Sequence, residues 1–152
     1  MLEIGSGAPA GTETTRPCRL ALVGKAPGHS VHDGVLYRSP LILNSGFAVM
    51  TPMHGIARGA YEAFVDLTAA RKARPMGAKP SDKVEVQIAI GESSAEIDLA
   101  YLVTEKLVAT VFKGGKVTRA DAVRQRRDMM MVLKLLQSAV DRLFHLSGTH
   151  GL

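Results

Sequence analysis

Apolar residues recur at steps of three and four along three long stretches of the chain, which is the spacing of one face of an α-helix. The third stretch alternates by four and three, as the seam of a coiled coil does. The pattern predicts helices over residues 47–73, 82–113 and 118–147, packed side by side and mostly antiparallel. The apolar positions of the three faces are Val49, Met53, Ile56, Ala60, Phe64 and Leu67; Val86, Ile90, Ile97, Ala100, Leu107 and Val111; and Met129, Leu133, Leu136, Val140 and Leu143.

Polar residues at the expected helix starts support these boundaries. Asp82 with Glu85, and Thr118 with Asp121, have the three-residue spacing of a capping box. Pro52 has two interpretations: it is the first residue of a helix capped by Thr51, or it lies inside a longer helix and kinks it.

Residues 1–45 lack this periodicity. The segment "GSGAPAGTETTRP" is typical of a loop, and "CRLALVG" is short enough to be a single strand. The expected fold is therefore an all-α, up-down bundle of three long helices, preceded by an extended or loop arm. Three amphipathic helices leave apolar surface uncovered, so we expect a fourth helix or a neighbouring subunit to cover it. The seam of the third helix either forms such an oligomer face or packs on the other two helices.

Composition narrows the function classes. With one cysteine, Cys18, the chain of 152 residues cannot form an internal disulfide, which favours a reducing, cytoplasmic location. It has no apolar run long enough to span a membrane. Its net charge is +5, but the densest basic cluster (Arg124, Arg126 and Arg127) is more typical of a solvated helix face than of a nucleic-acid site. The five histidines lack metal-ligand spacing, so no metal site is predicted.

Small residues cluster in the first helix. Gly55 and Gly59 each cost a helix about 1 kcal/mol relative to alanine. Something is therefore expected to approach this backbone closely. A packed helix is the simpler explanation, and a flat ligand over the glycine face is the functional one.

Three motifs in the same order carry a resemblance to a known family. The segments "GIARGAYEAFVDLTAARKARPMG", "VQIAIGESSAEIDLAYLV" and "AVDRLFHLSGTHGL" resemble the C-terminal helical domain of the acyl-CoA dehydrogenase superfamily, over about Leu36 to Leu152. The resemblance implies a fragment: residues 1–45 as the end of a β-domain and its linker, and residues 46–152 as a helical bundle whose last helix is missing.

Departures from the dehydrogenase pattern favour the branch of flavin-dependent monooxygenases. The positions that resemble the dehydrogenase glutamine and double glycine hold Phe144 and Ser147-Gly148. The segment "MTPMHGIARG" has no carboxylate to serve as a base, and the arginine motif reads "ARPMG". An acyl-CoA dehydrogenase, or a helical interaction module without catalysis, remains an alternative.

The monooxygenase resemblance implies reduced flavin (FMN or FAD), O₂, an aromatic or related small substrate and a separate flavin reductase. It also implies a homotetramer. The catalytic residues are not identified and are expected in the missing segments, so this chain alone is expected to be inactive.

The resemblance also implies cofactor contacts at two places. Arg71 and Arg74 are expected to contact a flavin phosphate; alternatively, they are ordinary cations at a helix end. The turn of Gly148, Thr149, His150 and Gly151 is expected to be a second flavin contact; alternatively, it only stops the helix. His54 lines the flavin or substrate wall, or is a packed or surface histidine.

Overall fold

The computed structural model describes residues 30–38, 41–71, 79–112 and 118–148. These residues form four α-helices, α1 (Val35–Arg38), α2 (Leu41–Ala70), α3 (Val84–Phe112) and α4 (Arg119–Ser147), with a 3₁₀ turn at Pro80–Asp82. No strand occurs within the described ranges, and the all-α prediction is confirmed. The segment "CRLALVG" lies outside the described residues.

The first long helix begins earlier than the apolar spacing predicted. α2 begins at Leu41, and Pro52 is an interior residue. Thr51 is therefore not an N-cap; its hydroxyl donates to the carbonyl of Phe47 one turn back, at 2.9 Å. Of the two interpretations of Pro52, the longer helix is the correct one.

One of the two predicted capping boxes forms. The Thr118 hydroxyl accepts from the Asp121 N–H, and the Asp121 carboxylate accepts from the Thr118 N–H, both at 3.1 Å. The Thr118 hydroxyl also donates to the Asp121 carboxylate at 2.6 Å. This bond, followed by the one from the Thr118 N–H, lowers the pKa of Asp121 from its usual value.

The box predicted at Asp82 and Glu85 is wrong. Asp82 belongs to the 3₁₀ turn, where its N–H donates to the carbonyl of Lys79 at 2.9 Å. α3 then begins at Val84, and Glu85 pairs with Lys83 at 3.7 Å. The reason is local. Pro80 has a fixed φ that favours the turn, so Asp82 is part of that turn and does not cap α3.

Contacts at both ends show that α2 and α4 run in the same direction. Near the start of α2, Gly46 lies against the Met129 side chain of α4. Just beyond the end of α2, Arg71 bonds the carbonyl of Ser147, the last residue of α4. The C-terminal ends of the two helices therefore meet at the same end of the bundle.

α3 runs antiparallel to both neighbours. Ser93, in the first half of α3, donates to the carbonyl of Ala139 late in α4, at 3.3 Å. Lys106, near the end of α3, faces Asp128 early in α4, at 4.0 Å. The order is thus up, down, up, which confirms the predicted bundle of three long helices.

The core lies between the three long helices and has two parts. The larger cluster is built from Met50, Ala57, Ile97, Ala100, Leu107, Val132, Leu136 and Ala139. The smaller cluster joins Phe64, Val86 and Leu143 towards the end where α2 and α4 finish.

The core face of α2 differs from the predicted one. Met50 and Ala57 are fully buried, whereas Val49 and Ile56, which were assigned to the core, are 54% and 59% exposed. The prediction favoured the more apolar β-branched residues over alanine. The structure buries the small Ala57 instead, because a small side chain lets a neighbouring helix approach.

The seam of α4 faces inward. Leu136 and Leu143 are buried, and Met129, Leu133 and Val140 pack around the core. Of the two interpretations of this seam, packing on the other two helices is the one observed.

A second apolar face lies instead on α3. Val84, Ile88, Leu99 and Leu102 have exposed fractions between 53% and 67%. Their spacing of three, four and eleven puts them together on the side opposite the core. A helix that is apolar on both sides is expected to be covered on both sides.

The backbone divides into two units between Asn44 and Ser45. In the first unit, His32 stacks on Tyr37 with ring centres 4.8 Å apart, and the Asn44 amide donates to the carbonyl of Leu36 at 3.3 Å. None of the helices in the described ranges is long and apolar enough to cross a membrane.

Candidate functional site

Two of the sequence-predicted site residues, Arg71 and Gly148, lie at the same end of the bundle. Arg71 follows the last residue of α2, and its Nη2 donates to the backbone carbonyl of Ser147 at 2.7 Å. The partners are 76 residues apart in the chain. The parallel arrangement of α2 and α4 brings Arg71 to the residue that precedes Gly148.

The backbone at Gly148 adopts a conformation that favours glycine. Its φ is 65° and its ψ is −143°, and it is the only residue with positive φ in the described part of the chain. This region is essentially closed to residues with a Cβ. The glycine ends α4, as the sequence predicted.

The last turn of α4 is held from two sides. The Ser147 hydroxyl donates to the carbonyl of Leu143 at 2.9 Å. Leu143 is buried against Phe64 of α2, and Leu146 packs around the same small core. The position of this helix end relative to α2 is therefore set by apolar packing as well as by Arg71.

Arg71 is a cation beside two helix C-termini. The final carbonyls of a helix carry partial negative charge, and a nearby guanidinium offsets it. A guanidinium has five N–H donors, so a single bond to the Ser147 carbonyl leaves Arg71 able to donate to a second acceptor. Residues of this type fit a phosphate, which arginine recognises well.

Four of the predicted site residues lie outside the described part of the chain. They are Arg74, Thr149, His150 and Gly151. Their assignment as cofactor contacts stays a prediction.

His54 lies in a different place, between α2 and α3. Its Nε2 is 3.0 Å from the hydroxyl of Thr104, and that hydroxyl is 2.9 Å from the carbonyl of Ala100. A hydroxyl has one hydrogen, and the carbonyl can only accept it, so Nε2 of His54 carries the proton and donates to Thr104. Tyr101 meets the imidazole edge-on, with ring centres 6.2 Å apart. Burial lowers the pKa of His54 from its usual value of 6.5, which favours the neutral ring.

The structure does not bring His54 together with Arg71. Seventeen residues separate them along α2, which corresponds to about 25 Å at 1.5 Å per residue. His54 and Arg71 would therefore contact different parts of a bound ligand. The prediction that His54 lines the flavin or substrate wall stays a prediction.

A polar cluster between α3 and α4 was not anticipated. Arg142 donates from Nη1 to Glu96 Oε2 at 2.7 Å and from Nη2 to Glu96 Oε1 at 2.9 Å. Its Nε lies 3.1 Å from Glu92, and the Ser138 hydroxyl donates to Glu96 at 3.1 Å. The hydrogen bonds from Arg142 lower the pKa of Glu96 from its usual value, although burial opposes this.

The sequence held a signal for this cluster. Glu92 and Glu96 are four residues apart on α3, as are Ser138 and Arg142 on α4. Such pairs lie on one face of a helix. The spacing alone does not show which neighbouring helix each pair faces, because that depends on how the helices pack.

The glycine face of α2 is open. A Cβ placed at Gly55 or Gly59 would meet nothing within 4 Å. Packing by another helix, the simpler explanation, therefore does not apply to the described helices. The same part of the chain holds no group of three His, Cys, Asp or Glu residues that could bind a metal ion.

Comparison with known proteins identifies the family. Residues 47–152 match the family described as acyl-CoA dehydrogenase, C-terminal domain, and the chain belongs to this family. The resemblance stated from the three motifs is confirmed.

Two curated relatives are similar to the chain over most of its length. It is 30% identical over 132 residues to the flavin-dependent monooxygenase oxygenase subunit HsaA of Rhodococcus jostii (strain RHA1), covering 84% of the chain and 35% of that protein. It is 38% identical over 121 residues to a pigment production hydroxylase of Rhodococcus sp. (strain ATCC 21145), covering 79% of the chain and 30% of that protein. The matched region thus spans about a third of each relative. No solved structure matches the chain.

Proposed function

We propose that this chain is the C-terminal helical domain of a longer, reduced-flavin-dependent monooxygenase that hydroxylates an aromatic or related small substrate with O₂. The family match and the names of the two relatives support this proposal. The identification of residues 1–45 as the end of a β-domain and linker is part of the same proposal.

The single observation that carries the site assignment is the bond between Arg71 and Ser147. It links Arg71, the residue after α2, to Ser147, the residue before Gly148. We propose that this end of the bundle, with Arg71, Arg74 and the turn Gly148–Gly151, holds the flavin (FMN or FAD). When bound, reduced flavin would supply the electrons that activate O₂. The contribution of this chain is to bind and orient the cofactor and to form one wall that excludes water.

The open face around Gly55 and Gly59 is a candidate for that wall. Without side chains there, a flat ring system could approach the α2 backbone closely. Exposed Val49 and Ile56 border this face and would shield a ring from water. His54 would supply a polar group on the flank of the same helix.

The partners of the full-length protein are also proposals. The words "oxygenase subunit" in the name of one relative support a separate flavin reductase. The exposed face of Val84, Ile88, Leu99 and Leu102 supports self-association, and a homotetramer is the proposed state. The proposal of a cytoplasmic location rests on the single cysteine.

The alternatives are less well supported. Relatives named monooxygenase and hydroxylase do not favour an acyl-CoA dehydrogenase, and they equally favour an enzyme over a helical interaction module.

The direct test uses the full-length protein, a flavin reductase with NADH, and a panel of phenols under ¹⁸O₂. We expect a hydroxylated product carrying one ¹⁸O atom, formed only when the reductase is present. Bleaching of the bound oxidised flavin by acyl-CoA thioesters, without oxygen transfer, would instead identify a dehydrogenase. Residues 1–152 alone are expected to give no product.

A further inference from the structure

Arg71 follows one helix but bonds the end of another. A cation at a helix terminus is usually explained by the dipole of its own helix. Here the half-buried guanidinium donates to the carbonyl of Ser147, at the end of α4. Arg71 is therefore a cap for α4 supplied by the residue after α2.

The bond acts on the peptide unit that leads into the turn. The carbonyl of Ser147 and the N–H of Gly148 belong to one planar trans peptide group and point in opposite directions. A donor that fixes the carbonyl oxygen therefore also fixes where the Gly148 N–H points. Gly148 itself has a positive φ of 65°.

The other contacts at this end of α4 do not fix the orientation of the Ser147–Gly148 peptide group. The Ser147 hydroxyl bonds back to Leu143, within its own helix. The small core holds the last turn through Leu143 and Leu146, which precede the Ser147–Gly148 peptide. Among the described residues, the hydrogen bond from Arg71 is the contact that reaches this peptide group from another helix.

We propose that Arg71 is a positioning residue: by capping α4 it fixes the Gly148 turn, and it supports flavin binding through that turn rather than by a direct contact to the phosphate. The inference rests on the proposed function for its flavin part. Its structural part, that Arg71 holds the end of α4, stands independently of any ligand.

The test compares the full-length wild type with Arg71→Gln, Arg71→Lys and Arg58→Gln. Arg58 is the matched control, since it is an arginine of α2 that pairs with Glu62 on the exposed surface. One readout is the hydrogen exchange of backbone amides in peptides covering residues 143–148. The other is anaerobic titration with reduced FMN and with reduced riboflavin, which lacks the phosphate.

We expect Arg71→Gln to speed exchange in the last turn of α4 and to weaken binding of both flavins by the same factor, about tenfold. Arg71→Lys should recover part of both effects, because an ammonium can still donate to the carbonyl. Arg58→Gln should change neither readout.

Two results would overturn the inference. Unchanged exchange at residues 143–148 in Arg71→Gln would mean that Arg71 does not hold this end. Weaker binding of FMN with unchanged binding of riboflavin would make Arg71 a direct phosphate ligand. If the wild type binds neither flavin, the proposed function fails, and the exchange readout still decides whether Arg71 caps α4.

Discussion

Arg142 of α4 and Glu96 of α3 form a two-bond ion pair, with N–O distances of 2.7 and 2.9 Å, six residues before α4 ends at Gly148. Both side chains are mostly buried, with exposed fractions of 25% and 21%. The pair therefore fixes the register of the two helices close to the candidate site.

Removing one partner is expected to destabilise the bundle. Glu96→Gln should lower the free energy of unfolding by about 2 kcal/mol, because a half-buried guanidinium loses charge-assisted hydrogen bonds. Urea unfolding monitored by circular dichroism measures this. Glu62→Gln, which breaks the exposed pair with Arg58, serves as the control and should lower the free energy of unfolding much less, because solvent screens an exposed ion pair. Equal effects of the two substitutions would contradict the role given to Glu96.

The same pair predicts a pH dependence. The folded-state pKa of Glu96 is lowered from its usual value of 4.5, so the unfolded state binds this proton first as pH falls. Its contribution to stability is full above pH 4.5 and is lost as the pH falls through the lowered value. The stability difference between wild type and Glu96→Gln should therefore shrink below pH 4.5. A difference that stays constant from pH 7 to pH 3 would contradict this.

His54 predicts a second pH dependence in a higher range. Burial lowers its folded-state pKa from 6.5, so the unfolded state takes up the proton first as pH falls. The wild type should lose stability as the pH falls below 6.5, and this loss should end below the folded-state pKa. In His54→Gln, which keeps a donor towards Thr104, that part of the pH dependence should disappear. Melting temperatures at closely spaced pH values between 7.5 and 5 would test it, and identical slopes in both proteins would contradict it.

The capping box of α4 gives a stability prediction. Thr118→Ala removes the hydroxyl that accepts from the Asp121 N–H and should cost about 1 kcal/mol. Thr110→Ala is the matched control, because the Thr110 hydroxyl only donates to the carbonyl of Lys106 within α3. A loss as large in the control as in Thr118→Ala would mean that the cap contributes nothing specific.

The outer face of α3 predicts where self-association occurs. Leu102→Glu puts a charge one turn from exposed Leu99, on the face that also holds Ile88, and should shift the full-length protein towards smaller species in sedimentation velocity. Met130→Glu, at an exposed methionine of α4, should leave the distribution unchanged. Loss of assembly only in Met130→Glu would move the contact surface to α4.

The sequence predicted the three long helices correctly, but it did not predict which face of every helix is buried. Regular spacing and the box at Thr118 and Asp121 identified three long helices, because these signals are local. The core face of α2 was misjudged at Val49 and Ile56, since hydrophobicity alone does not reveal that Ala57 is where a neighbour approaches. The exposed face of α3 was not predicted, because the apolar spacing identifies only one face on each helix.

The candidate site depended on topology in the same way. Arg71 and Gly148 were named separately, through the family resemblance, without any expected contact between them. The hydrogen bond from Arg71 to Ser147, the residue before Gly148, depends on the parallel direction of α2 and α4. The spacing of residues within each helix does not predict that direction. The ion pair of Arg142 and Glu96 likewise could not be predicted from the sequence, because it depends on the register of α3 and α4.

The central claim is that the shared end of α2 and α4 holds a reduced flavin, and an anaerobic titration of the full-length protein tests it most directly. Reduced FMN and reduced FAD would be added to the wild type, to Arg74→Ala and to the control Arg58→Gln. We predict saturable binding of one of the flavins to the wild type and the control, weakened about ten- to a hundred-fold in Arg74→Ala by the loss of a charge-assisted phosphate contact. A dissociation constant unchanged in Arg74→Ala, or no binding to the wild type, would contradict the claim.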